Sequence, residues 1–498
     1  MKHGHKRTQA TDSPITLSRR RLLQSTGLIA VAAWSSDGTQ AVAQPSGSII
    51  ATLTSYMAGA ASRPLPGNVI EKTKHHVLDT LAAMISGSLL PPGRVAIQLA
   101  RAHAGETVAS VAGCDVVCGP LEAALANGML AHSDETDDSH APSHSHPGCA
   151  IVPAALAAGE QFHIDGSRFL RAVALGYDIG PRVTLALGGQ PFQIRSHFSS
   201  HSIAGNFAAA AAAAAAAGLT ERQMRWVLDY TAQQAAGIAA WQRDTDHIEK
   251  SLVFGGFPAR NGVTAALIVQ LGGTGVDDVF SGADNFLMAF APQADSSSLV
   301  DRLGERYEVT QTNIKKWTVG SPIQAPLDGM EILRQKRPFE ADQVRKVVVR
   351  VATSDAKTVN NREMPDICLQ HMMAVMLLDK TASFDAAHDK SRMKDSAVLQ
   401  ERAKIELVPD EELERRIERR EAVVEVTLTD GTQIREHVTA VRGTAQNPMT
   451  RDEVVAKCRD LMTPTIGAGK TKQLVETVLS LDTVQDIRSL RPLLQVRS

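Results

Sequence analysis

Residues 127–148 read Asn127-Gly-Met-Leu-Ala-His132-Ser-Asp134-Glu135-Thr-Asp137-Asp138-Ser139-His140-Ala-Pro142-Ser143-His144-Ser-His146-Pro147-Gly148. Four carboxylates and four histidines fall between His132 and His146, where one helical pattern (Leu121 to His132) ends and another (Cys149 to His163) begins. Such a mixture supplies nitrogen and oxygen donors for a metal. It equally positions acids and bases for proton transfer. Neither HExxH nor EF-hand spacing is present, so the stretch does not specify an ion. A solvated polar loop between helices is the plain alternative.

Outward from this loop the pattern is helical. Apolar residues recur three and four apart in Val69 to Leu90 and Ser167 to Leu187, the spacing of one buried helix face. Ala208 to Ala217 is an unbroken alanine run closed by Gly218. That combination predicts a thin helix with a glycine C-cap, too short and weakly apolar to span a membrane. Near Ile332 the character changes. Val344 to Ala352 is valine-rich, and Ala422 to Thr429 and Thr432 to Val438 flank Asp430-Gly431, which predicts two strands joined by a type I′ hairpin turn. Helical patterns return at Thr450 to Met462 and Lys470 to Leu479. The fold class expected is mainly α, a large all-helical domain with a smaller α/β segment.

The chain has 498 residues, 52 Lys+Arg against 54 Asp+Glu and 43% apolar residues. That balance argues against a nucleic-acid-binding protein and leaves room for two or three domains. Five cysteines without paired CxxC spacing read as thiols, not as a disulfide framework or a zinc site. At the N-terminus, Ser18-Arg19-Arg20-Arg21-Leu22-Leu23-Gln24 precedes a short apolar stretch, Thr26 to Trp34, and then Ala41-Val42-Ala43. The order resembles a twin-arginine export signal cleaved after Ala43. It implies a periplasmic mature chain, the twin-arginine translocase as a transient partner, and no stable membrane insertion.

Three further stretches set polar groups in apolar or glycine-rich surroundings: Phe198-Ser-Ser-His201-Ser-Ile-Ala-Gly205, His247-Ile-Glu-Lys250 followed by Phe254-Gly-Gly-Phe-Pro-Ala-Arg260-Asn261-Gly262, and Asn313-Ile-Lys315-Lys316-Trp317. The second reads as a glycine-rich turn opening a helix whose N-terminus is free to receive an anion. The third lies where composition changes, a favoured place for a ligand cleft. Each taken singly also reads as a helix cap.

The succession Asn127-Gly, His132, Asp137-Asp138-Ser139-His140, Pro142-Ser143, His146-Pro147, Gly205 with its alanine helix, Ala259-Arg260-Asn261-Gly262 and Ile314-Lys315 resembles the MmgE/PrpD family, that of 2-methylcitrate dehydratase and cis-aconitate decarboxylase. The similarity spans about residues 49 to 490. It implies a helical domain over 49–310, an α/β lid domain over 311–446 and C-terminal helices over 447–492 that rejoin the helical domain, while the export signal read from its own motif occupies 1–43. It further implies a site between the two domains, a homodimer, and no required metal or organic cofactor. Carried over by position, the acidic site residue falls on Glu135, the hydroxyl after the Asp pair on Ser139 and the histidine before proline on His146. The two lysines fall on Lys250 and Lys315. The chain departs from the family pattern with Glu at 135 and Ser at 139. Its histidine, His201, stands two places later than usual, and His371 stands where the lid carries tyrosine.

Removing a proton beside a carboxylate builds enediolate charge, so such a site needs a base within reach and cations where the charge develops. His146, His201, Glu135, Asp137, Ser139 and His371 are the catalytic candidates. Lys250, Lys315 and Arg260 are the candidates for holding substrate carboxylates, with the two lysines expected on opposite sides of the cleft. Asp137 and Asp138 serve equally well as helix caps, and His132, His140 and His144 read as structural or rim residues. The expected activity is a hydro-lyase dehydrating a small 2-hydroxy di- or tricarboxylate, such as a 2-methylcitrate-like acid. The alternatives are a decarboxylase or epimerase on the same fold, a metal-dependent hydrolase using the 132–146 cluster, and a noncatalytic periplasmic carboxylate-binding protein.

Overall fold

The computed structural model describes residues 46–496, so the expected signal segment lies outside the described residues. The chain is mainly α, with two hydrophobic cores. The first is built by helices between Ile50 and Ile314 together with Met449 to Leu494. The second runs from Trp317 to Val441.

The alanine run explains the first core. The helix Ser200–Ala217 is capped by the Ser199 side chain, which accepts from the Ser202 amide, and ends at Gly218 with φ of +70°. Ala208 through Ala216 are each at most 1% exposed. Alanine offers little area for burial, so the gain comes from close approach of backbones, which only small partners allow. Glycines supply them. A Cβ on Gly180 of the helix Gly166–Leu187 would meet Ala204 O and the Ala208 Cβ, and one on Gly262 would meet the Ala209 and Ala210 backbone.

The glycine-rich stretch 254–262 is not a turn. Residues Ile248–Gln270 form one helical run with a π-turn at Leu252–Gly256. Gly255 and Gly256 serve contact with the helix Pro120–Ala131, because a Cβ on Gly255 would collide with the Gly128 carbonyl. No helix N-terminus opens there for an anion, since the backbone amides are spent within the run. By length and composition this run would also cross a membrane, but it is largely buried within the protein.

In the second core a four-stranded sheet has the order Ile405–Asp410, Val344–Ala352, Ala422–Leu428, Gln433–Val438. The first pair is parallel and the other two are antiparallel. A parallel pair needs a long crossover, and residues 353–404 supply it as short helices that include Leu369–Asp379 and Phe384–His388. The hairpin forms where expected, but its turn is not type I′. Only Gly431 has positive φ, +86°, and its amide donates to Leu428 O at 3.1 Å while the Leu428 amide donates to Thr432 O. This is a three-residue loop with the glycine in the left-handed position. The two C-terminal helical patterns belong to one run, Arg451–Leu479, broken at Gly467, and it packs on Gly67–Gly87 in the first core.

Candidate active site

A cavity of about 430 Å³ lies where the two cores meet. Its inner wall comes from the loop 135–146, the first turn of the alanine helix, residues 241–254 and the junction 313–315; its outer wall comes from residues 354–367 and Arg420.

The 132–146 loop is buried, contrary to a solvated connection: His132, Asp137, Asp138 and His140 are all 0% exposed. Asp137 organises it. Its Oδ2 faces His132 Nδ1 at 2.8 Å and its Oδ1 faces His146 Nδ1 at 3.0 Å. Lys315 Nζ lies 3.6 Å from the same Oδ1. Burial alone would raise the Asp137 pKa; His132, His146 and Lys315 overcome it and hold the carboxyl well below its usual range. A carboxylate only accepts, so it fixes the proton of His146 on Nδ1 and leaves Nε2 as the basic nitrogen at the cavity. Burial, partly offset by Asp137, also lowers the His146 pKa.

Asp138 has a different role. Tyr177 OH and His76 Nδ1 meet its Oδ2, and the Gly148 amide donates to its Oδ1. With all its partners behind the cavity wall, Asp138 anchors the start of the helix Gly148–Phe162.

Glu135 is an acceptor for cations. Lys250 Nζ contacts its Oε1, Lys315 Nζ lies 3.6 Å from its Oε2 and His247 Nε2 lies 3.9 Å from Oε1. Against the effect of burial, Lys250 and Lys315 keep the carboxyl well below its ordinary pKa. Glu135 thus pairs with both ammonium groups and orients them. The lysines meet on this one carboxylate and so share a wall; they do not face each other across the cleft. Lys315 also donates to the Glu135 backbone oxygen at 2.8 Å.

His201 sits within the first turn of the alanine helix, not ahead of it. Its ring stacks on Phe254 with centroids 4.0 Å apart and lies 5.2 Å from the His146 ring. Burial first, then His144, His146 and Lys250, push its pKa well below the usual imidazole value. Its Nδ1 is buried without a partner. His144 lines the cavity with a left-handed φ of +51°, and burial brings it to about 3. The cavity therefore presents imidazoles of lowered pKa beside the side chains of Lys250 and Lys315. Ser139 lines it too, with its backbone paired to Asn313 in both directions.

Donor atoms of His132, Glu135 and His247 lie within 4.8 Å of one another, as do those of His132, Asp137 and Cys149. In the first set two ammonium groups hold Glu135, and in the second the Cys149 thiol donates to the backbone oxygens of His146 and Phe254.

The MmgE/PrpD N-terminal domain pattern matches residues 51–298 and the MmgE/PrpD C-terminal domain pattern matches residues 317–483. The chain belongs to the MmgE/PrpD family. It is 25% identical over 479 residues to a cis-aconitate decarboxylase-like protein of Aspergillus oryzae, covering 90% of this chain and 98% of the relative. It is 24% identical over 483 residues to the cis-aconitate decarboxylase of Aspergillus terreus, covering 90% and 96%. The human cis-aconitate decarboxylase is 23% identical over 454 residues, covering 86% and 91%.

Of the positions carried over from this family, Glu135, Ser139, His146, Lys250 and Lys315 line the cavity, His201 joins them, and Asp137 backs His146. Two candidates do not. Arg260 is exposed on the outer face of the Phe257–Gln270 helix, because the small residues Ala259 and Gly262 occupy the face toward the alanine helix. His371 is 0% exposed inside the second core, with neither ring nitrogen hydrogen-bonded, and burial pushes its pKa down to about 4. It stands in the helix Leu369–Asp379 among methionines and other apolar residues and does not reach the cavity. Trp241, His247 and Phe254 also line the cavity, the last two from a stretch whose local pattern assigns them no role and the first with no local signal. Nothing local marked the outer-wall residues Ser354, Lys357, Thr358 and Arg420, which the crossover connection and sheet bring in.

Proposed function

We propose that the chain is a lyase acting next to a carboxylate in a small polycarboxylic acid, and that it dehydrates a 2-hydroxy di- or tricarboxylate. The observation that carries this reading is the Asp137–His146 pair set beside Lys250 and Lys315 in one water-accessible cavity. A substrate carboxylate exchanges for Glu135 on the lysines. Neutral His146 removes the proton from the adjacent carbon through Nε2, and the enediolate charge develops toward the ammonium groups. A bound polyanion raises the pKa of the neighbouring His201, which then donates the proton that the departing hydroxyl needs. Neutral imidazoles at rest favour proton abstraction as the first step.

The names of the relatives favour a second reading, decarboxylation of an unsaturated tricarboxylate on the same residues. Incubation with a panel of polycarboxylates in deuterated water, followed by NMR, separates the two. Alkene formation without carbon dioxide supports the dehydratase. Carbon dioxide release replaces it with the decarboxylase, and deuterium incorporation with inversion alone replaces it with an epimerase. Acids returned unchanged leave only a binding protein.

We also propose export to the periplasm with cleavage after Ala43, and a homodimer. The mass of the mature chain and its sedimentation in solution test these.

A further inference from the structure

Outside the proton-transfer residues, one partly buried histidine beside the second core reaches the catalytic loop. His388 closes the short helix Phe384–His388, in which Phe384 packs on the first core and Ala386 and Ala387 belong to the second. Its Nδ1 lies 2.7 Å from Phe384 O, and its Nε2 lies 3.1 Å from Asp134 Oδ2. The Phe384 carbonyl only accepts, which places a proton on Nδ1, and the Asp134 and Asp366 carboxylates around the ring favour a second proton on Nε2. The Nε2–H points off the line to Asp134, making the contact an ion pair more than an aligned hydrogen bond.

Asp134 is 3% exposed and also accepts from the Thr136 amide and hydroxyl, so its place in the loop is tightly set. The next residue is Glu135, which gathers Lys250 and Lys315. The same loop is tied from the C-terminal helix by Lys457, which donates to Thr136 O at 3.0 Å, and from the junction by Asn313. His388 is the tie contributed by the outer segment.

We propose that His388 is a positioning residue: its imidazolium holds Asp134, and through it sets Glu135 and the two lysines for the substrate. The inference rests on reading Glu135 as part of the active site. The charged groups facing the ring are Asp134 from the loop and Asp366 from the turn Pro365–Ile367, with Glu135 and Lys250 acting on Asp366 in turn. On the surface beyond, Lys390 pairs with Asp246 at 3.3 Å. Burial alone would lower the His388 pKa; Asp134 and Asp366 outweigh it and bring it to about 9. Because the folded value is raised, the contribution is complete below the ordinary imidazole value of 6.5 and is lost as pH rises through about 9.

The test uses the full mature chain with isotopically labelled histidine. By NMR the His388 ring should remain protonated at pH 8, and Asp134→Asn should lower its titration midpoint by about one pH unit or more, the loss of a charged partner. A midpoint near 6.5, or one that Asp134→Asn leaves unmoved, overturns the proposal. Neither measurement needs a substrate, so a failed polycarboxylate panel would sink the functional reading alone. With a substrate in hand, His388→Gln should lower kcat about tenfold. The double variant with Asp134→Asn should be no worse than either single one, as expected for residues acting as a unit. The wild-type loss of kcat above pH 9 should be absent in His388→Gln. A strictly additive double variant, or a basic limb that persists in His388→Gln, would show a merely structural residue.

Discussion

On the inner wall of the cavity Glu135, Asp137 and Lys315 are nearly devoid of solvent and bound to one another, whereas on the outer wall Lys357 and Thr358 are exposed and Arg420 keeps about a fifth of its side chain in water while pairing with Asp355. The difference matters because two unit charges 4 Å apart interact by about 1 kcal/mol in water and about 4 kcal/mol at the effective dielectric of a protein interior. Changes to the inner wall should therefore alter the chemical step, and changes to the outer wall chiefly which acids enter and how tightly.

The largest effect should follow removal of the proton carrier. His146→Gln should lower kcat by roughly 10²–10⁴-fold, the range of general acid–base catalysis, with the fold intact by circular dichroism. Turnover within threefold of wild type would move the base elsewhere. Next come the lysines. Lys250→Ala or Lys315→Ala should reduce kcat/KM by about 2–4 kcal/mol of transition-state stabilisation. On the outer wall, Arg420→Gln should raise KM severalfold with kcat nearly unchanged, since a partly exposed ion contact is worth about 1 kcal/mol or less. A kcat loss equal to that of the lysine variants would erase the distinction between the walls.

The pH profile sharpens the same contrast. His146 must be neutral to act as base, and its pKa is lowered by burial. The acidic limb of kcat/KM, which reports the free enzyme, should therefore fall below 6.5, leaving activity at mildly acidic pH where an exposed imidazole would already be protonated. A limb above 6.5 would assign the limiting proton to another group.

The smallest effect is expected at His371. A buried polar ring without partners carries an unrecovered desolvation cost, so His371→Phe should leave kinetics unchanged and hold or raise the melting temperature. A clear loss of turnover would show that the helix Leu369–Asp379 does approach the substrate.

Local patterning was enough for the alanine run and its glycine C-cap, the hairpin strands and the crowded His/Asp loop, because helix period, capping chemistry and strand alternation act within a few residues. It misread the turn at Asp430-Gly431 by one left-handed residue. It also misread 254–262, where glycines that look like turn formers are there to let Gly128 approach. Which residue types the site contains is legible in local motifs, where His146, Glu135, Ser139, Lys250 and Lys315 all sit. Tertiary structure alone decided their work. Adjacent Asp137 and Asp138 are chemically identical, yet one faces His146 and the other Tyr177 and His76. Arg260 turned outward with its helix face, His371 was enclosed in the second core, and His388 was brought more than two hundred residues along the chain to Asp134. Charge roles depend on burial and on partners distant in sequence, and neither is written in local spacing.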